Sequence, residues 1–125
     1  MKLSRQTEVA IDALVYMGRR GEQVTVQEVE AALGRRGDTW PALRALSLAG
    51  IVASRVGRTG GFVLAKPLKE VTLLDVLTAI EGPLFPVARG WTKASKLASA
   101  HLFDVMSRHM CKITLARLIK ASEAA

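Results

Sequence analysis

The stretch TVQEVEAALGRRGDTWPALRALSLAG, residues 25–50, decides the fold. It opens with Thr25 and, three residues on, Glu28, a T-x-x-E capping box. In such a box the hydroxyl and the carboxylate satisfy backbone N–H groups that a helix start leaves unpaired. Val24 and Val29 stand where a hydrophobic staple closes. The helix this predicts runs to Leu33 and stops at Gly34, a residue suited to the position just past a helix end. A short turn, GRRGD, leads to a second helix. Pro41 lacks an N–H and is accepted only in a first turn, so it pins that helix's start near Asp38 to Trp40. Leu43 and Leu46 line one face with Ala42 and Ala49 as close-packing partners, and Gly50 ends the helix. Two helices joined by a short glycine-containing turn make a helix-turn-helix.

The flanks complete the unit. Upstream, Val9, Ala10, Ala13, Leu14 and Met17 fall at helical spacing, which predicts a helix over Ser4 to Arg20. Downstream, two strands are expected, Ile51 to Val56 and Phe62 to Ala65, joined through GRTGG, whose glycines permit positive φ and close backbone approach. Val71, Thr72, Asp75 and Val76 repeat the staple-and-cap pattern. The helix they open continues through Leu77 and Ile80 to EGP, where Gly82 lies past the end and Pro83 blocks continuation. Residues 83–90 read as a loop. A long helix is predicted over Thr92 to Met110, with Ala94, Leu97, Ala98, His101, Leu102, Val105 and Met106 in one stripe. Thr114, with an Ile113–Leu118 staple, opens a short final helix. The expected fold is mainly α with a small β wing. A winged helix-turn-helix covers 1–83, its wing about 51–66. Residues 84–125 hold the loop, a long dimerisation helix and the short C-terminal helix.

Charge narrows the function. The formal net charge is +7 over 125 residues. Between Arg35 and Lys69 seven cations face one acid, Asp38. A field so concentrated attracts a polyanion. In a helix-turn-helix the N-terminal end of the second helix meets the major groove. The expected partner is therefore double-stranded DNA. Arg35, Arg36, Thr39 and Trp40 are expected at the groove, with Arg44 farther along near phosphate. Thr25 offers helix N-terminal N–H groups to phosphate. The wing supplies Arg55, Arg58, Thr59, Gly60 and Gly61 to the backbone or a minor groove. Trp40 has three readings: stacking on a sugar, contact with a thymine methyl, or packing on the core.

The long helix is expected to carry more apolar surface than one small core buries, and a partner helix from a second copy, meeting it at Leu97, His101, Leu102, Val105 and Met106, is one solution. A rival reading makes the winged helix a protein-interaction adaptor, with the long helix binding another protein. No apolar run is long enough for a membrane span. The N-terminus lacks the apolar stretch of a signal peptide. One cysteine makes no internal disulfide, so a cytoplasmic protein is expected. No Walker-type loop, nucleophile elbow or paired-carboxylate motif is present, and no enzyme activity is expected.

The segments MKLSRQTEVAIDALVYM, TVQEVEAALG, LRALSLAGIV, GGFVLAKP, VTLLDVLTAIEGP and ITLARLI, in that order, resemble the Rrf-two family of bacterial transcription regulators. The resemblance implies a homodimer that binds a near-palindromic operator in promoter DNA with one winged helix per subunit, the long helix crossing its partner. It also implies, for many members, an iron–sulfur cluster held by three cysteines between the EGP turn and the long helix. Here that region reads LFPVARGWTKASK, without a cysteine. No cofactor is therefore expected, and the signal becomes a small-molecule or protein effector. The wing departs too: the family's V-R-G-P-G-G-G becomes RVGRTGG, so Arg55 is displaced by one place and Arg58 takes the usual proline position. One place on a strand reverses the face. Trp40 stands where family members often carry a polar or acidic residue, which implies a different base specificity.

Three further sets of residues are candidates for other roles. His101, His109 and Cys111 are poorly disposed for one metal, since His109 and Cys111 point about 200° apart on a helix. Cys111, between His109 and Lys112 but for Met110, is either a redox switch or cross-link, or an inert thiol. Trp91, Phe85 and Phe103 line either a ligand pocket or a packing interface.

Overall fold

The computed structural model describes residues 3–34, 37–82 and 92–124. Six α-helices and a two-stranded antiparallel sheet follow one another in the expected order. They are α1 (Arg5–Arg20), α2 (Val26–Leu33), α3 (Thr39–Leu48), β1 (Val52–Arg55), β2 (Gly61–Leu64), α4 (Leu73–Glu81), α5 (Lys93–Met110) and α6 (Leu115–Ala124), with a short 3₁₀ turn at Leu68–Glu70. The predicted loop over 83–90 lies outside the described residues.

Capping chemistry sets these boundaries. Ser4 caps α1, its hydroxyl accepting from the Thr7 N–H at 3.2 Å. Thr25 caps α2, accepting from the Glu28 N–H at 3.1 Å. The reciprocal arm of that box is directed elsewhere: the Glu28 carboxylate lies 3.9 Å from Arg20. Before α4 both arms close, Asp75 N–H to Thr72 Oγ1 at 3.1 Å and Thr72 N–H to Asp75 Oδ2 at 2.9 Å. Thr92 and Thr114 cap α5 and α6 by the same contact. Pro41 falls in the first turn of α3, as its missing N–H requires.

One core unites these elements. Val9, Leu14 and Met17 of α1 meet Val29 of α2, Leu43 and Leu46 of α3, and Val76 of α4 with no more than 1% exposure. Full burial of each such side chain contributes roughly 1.5–3 kcal/mol. The last helix joins the same core rather than standing with α5. Leu115 is fully buried in it. Its N–H donates to Val71 O and the Leu73 N–H donates to Ile113 O, both at 2.8 Å, across a Thr72–Thr114 bridge. Thus the segment after α5 returns and docks on α1 and the 3₁₀ turn.

The first strand of the wing is two residues shorter than expected, and the second keeps its four residues but begins one residue earlier, at Gly61. Its register pairs Val52 with Leu64, Ala53 with Val63, Ser54 with Phe62 and Arg55 with Gly61. Val56 leaves the ladder and is 97% exposed at the tip. Only Gly57 of the tip glycines uses positive φ, at 111°. Gly60 and Gly61 serve the other purpose, close approach. A methyl on Gly60 would strike Arg55 O and lie 2.8 Å from Gly57 O. A methyl on Gly61 would strike Val24 O and lie 3.1 Å from its carbonyl carbon. That proximity exists because Val24, just before α2, forms a third partial strand. The Val24 N–H donates to Phe62 O at 3.0 Å, and the Phe62 N–H donates to Val24 O at 2.8 Å. Gln23 adds its side-chain N–H to Thr59 O. The wing is thereby fastened to the start of the helix-turn-helix.

Candidate nucleic-acid interface

The helical phase of α3 sorts its side chains. Thr39, Ala42, Leu43 and Leu46 point into the core. Thr39 was expected at the groove; instead it is fully buried, because the phase that sinks Leu43 and Leu46 sinks the residue one turn earlier with them. Trp40 is 50% exposed, which removes simple core packing from its three readings. Its ring lies 5.5 Å from the Arg44 guanidinium carbon, one turn farther on. Leu48, another turn along, is 79% exposed. Arg35 and Arg36 lie outside the described residues.

Asp38, the lone acid of the basic segment, does not face solvent as a free charge. Its Oδ2 pairs with Arg5 Nε at 2.8 Å, so α1 holds the entrance of α3. The other end of α4 also reaches α1. Glu81 accepts hydrogen bonds from Ser4 Oγ and from Thr7 Oγ1, the latter at 2.6 Å. These hydroxyls, Ser4 first and Thr7 second, hold the Glu81 carboxyl below its ordinary range. Nothing in the sequence patterns singled out this contact or the Arg5–Asp38 pair, since both join residues far apart in the chain.

A shallow concavity of about 420 Å³ opens between the start of α2 and the wing. Thr25, Gln27, Arg55, Arg58, Gly60 and Gly61 line it. The start of α2 and two arginines thus share one surface, and neither arginine makes an ion pair among the described residues. Thr59 sits on the exposed tip, its carbonyl engaged by Gln23. Such a surface suits a phosphate backbone. Strand alternation places Arg55 with Ala53 on the face away from Phe62.

On α5 the buried residues are Ser99 and Met110. Leu97 is 71% exposed, and Leu102, Phe103 and Val105 are also exposed. His101 is exposed and Met106 half-buried. Phe103 is exposed on the same helix; Phe85 and Trp91, its suggested pocket partners, lie outside the described residues.

The thiolate chemistry of a cluster does not fit this chain. The region before α5 has no cysteine. Cys111 caps the opposite end of α5, about 27 Å away for an 18-residue helix. Its thiol is exposed and donates to Arg108 O at 3.3 Å. Among the described residues no three His, Cys, Asp or Glu side chains gather as a metal site. None of the described helices is long and apolar enough to cross a membrane.

Comparison with known proteins follows the same lines. The Rrf2 (Rrf-two) family, described as an iron-dependent transcriptional regulator, matches residues 3–121. Protein aau3 of Rhizobium meliloti is 35% identical over 83 residues, covering 65% of this chain and 54% of its own. YwgB of Bacillus subtilis, named for an HTH-type transcriptional regulator, is 34% identical over 87 residues, covering 66% of this chain and 54% of its own. The chain thus spans about half the length of the curated relatives it matches. Among solved structures, CymR, the global cysteine regulator of B. subtilis, superimposes with a TM-score of 0.74 at 19% identity, over 97% of this chain and 98% of CymR. IscR of T. potens gives 0.72 at 18% identity, over 98% and 88%. Both share the fold, a winged helix of mainly α-helical composition.

Proposed function

The chain belongs to the Rrf2 family, and from that premise we propose that it is a sequence-specific DNA-binding transcriptional regulator acting as a homodimeric repressor in the cytoplasm. The observation that carries this reading is the concavity in which Arg55 and Arg58 flank the first turn of α2. A phosphate group seated there meets two guanidinium groups and a helix N-terminus together. With the backbone held at that point, α3 enters the adjacent major groove by its exposed Trp40–Arg44 face. Gly60 and Gly61 act by bringing the wing backbone close rather than through side chains.

The second copy of the chain covers Leu97, Leu102 and Val105 of α5. An apolar stripe of this kind on a long end helix gains burial by crossing its twin. Paired subunits then read two half-sites, and occupancy of a promoter excludes polymerase. Because the thiolate set for a cluster is missing, the controlling input is a small-molecule or protein effector and not an iron–sulfur cluster.

The test is selection of bound fragments from the source genome, followed by affinity measurements across a salt series. Binding weakens steeply with salt, and Arg58→Ala lowers the slope by about one phosphate contact. Binding that ignores salt, or that is unchanged when Arg55 and Arg58 are both replaced by alanine, contradicts the reading.

A further inference from the structure

The outward face of α3 has a restricted chemical vocabulary. Its helix, TWPALRALSL, contains no asparagine, glutamine, aspartate or glutamate. Side-chain amides read adenine in the major groove, and carboxylates accept from cytosine N4. Asp38, at the helix entrance, is held by Arg5. What remains exposed over the first two turns is Trp40 and Arg44. The two touch: the guanidinium carbon is 5.5 Å from the ring centroid, a cation–π contact. Arg44 has no ion pair among the described residues. The indole therefore orders the guanidinium before DNA arrives, so less rotamer freedom is lost on binding.

We propose that Trp40 and Arg44 form one reading unit for a thymine next to a guanine. Arg44 donates to O6 and N7 of the guanine, while the Trp40 ring packs against the C5-methyl of the neighbouring thymine. Each side chain is matched to the one base feature its chemistry can use: a paired acceptor edge for the fork of donors, a methyl for the apolar ring. The distances agree. Four residues of helix rise about 6 Å, and stacked base pairs are about 3.4 Å apart. Side chains that start one turn apart and converge into contact end on adjacent pairs. Cytosine in place of the thymine presents no methyl, and a purine there presents a polar N7 to the ring. The proposal rests on the reading that α3 lies in the major groove, and its test is built to fail separately.

The experiment uses the full chain and a fragment that it selects from genomic DNA. Each thymine is replaced in turn by deoxyuridine, which removes only the methyl group, and each guanine by 7-deazaguanine, which removes only the N7 acceptor. One thymine in each half-site is expected to lose about fourfold in affinity, the equivalent of one buried methyl. Its neighbouring guanine is expected to lose at least about fivefold. In Trp40→Ala the deoxyuridine penalty vanishes, and in Arg44→Ala the 7-deazaguanine penalty vanishes. The base-analogue scan needs only the unaltered protein, so it decides even where a variant folds poorly. A retained fragment with no methyl-sensitive thymine, or with the sensitive thymine remote from any sensitive guanine, overturns the pair. Failure to retain any fragment overturns the DNA-binding reading itself, and the pair with it.

Discussion

Gly61→Ala is expected to destabilise the protein without touching any charge. The added methyl would overlap Val24 O and sit 3.1 Å from the Val24 carbonyl carbon, and both belong to backbone rather than to a yielding side chain. Relief requires β2 and the Val24 strand to part. Their two hydrogen bonds, 3.0 and 2.8 Å long, then weaken together. Each contributes about 0.5–1.5 kcal/mol net, and forcing a methyl into a packed site costs about 1–3 kcal/mol. Since partial relaxation trades one cost against the other, the loss is about 2–4 kcal/mol. For a chain of this size that lowers the melting temperature by roughly 8–16 °C. The assay is circular dichroism during thermal and urea unfolding, with Ser54→Ala on the facing strand as a control expected within about 0.5 kcal/mol. Arg58→Ala also leaves stability unchanged while reducing DNA affinity. A Gly61→Ala protein as stable as the parent refutes the close-approach argument and returns Gly61 to the list of groups whose role is at the DNA.

Three other substitutions probe separate features, the α4 cap, the α4–α1 tie and the apolar face of α5. Thr72→Ala removes the Oγ1 arm of the α4 capping box while the backbone N–H arm to Asp75 remains, and costs about 1 kcal/mol, measured by urea unfolding; a change under about 0.3 kcal/mol contradicts the assignment. Glu81→Gln tests the tie between α4 and α1: a carboxyl held below its ordinary 4.5 in the folded state adds stability above that pH and loses it as the pH falls through the folded value. The stability gap between parent and Glu81→Gln is therefore present at pH 7 and closes below about pH 4.5, whereas a gap independent of pH argues against the hydroxyl contacts as its source. Replacing Leu97 and Leu102 together by lysine shifts the protein to monomer in sedimentation equilibrium with little change in monomer helicity; an unaltered mass shows that the second copy docks elsewhere.

Local chemistry was legible in the sequence because it acts over three or four residues. Thr25, Thr72 and Thr114 announce their helices, and Pro41 marks the start of α3, by rules that need no tertiary partner. The hairpin was legible for the same reason, although the exit of Val56 from the ladder depends on the Gly57 turn geometry. Burial of Thr39 was harder to read, since the start of a helix can be known while its rotation against the core is not. The Val24–Phe62 bridge, the Arg5–Asp38 pair and the Glu81 contacts join distant residues that carry no shared pattern. Docking of α6 into the first core was hidden similarly: its staple predicts a helix but not the surface that receives Leu115. The Trp40–Arg44 stack has a sequence signal after all, an aromatic and an arginine four apart on a helix, though only exposure distinguishes it from packing.

In the proposed complex two copies hold duplex DNA with α3 in the major groove and the wing on the neighbouring backbone. Footprinting a selected fragment with hydroxyl radicals and dimethyl sulfate in parallel tests it most directly. The expected result is two guanine N7 protections separated by a whole number of helical turns, each flanked by a backbone protection that fades in Arg58→Ala. A single unpaired footprint, or backbone protection with every guanine N7 in the bound region still reactive, would contradict it.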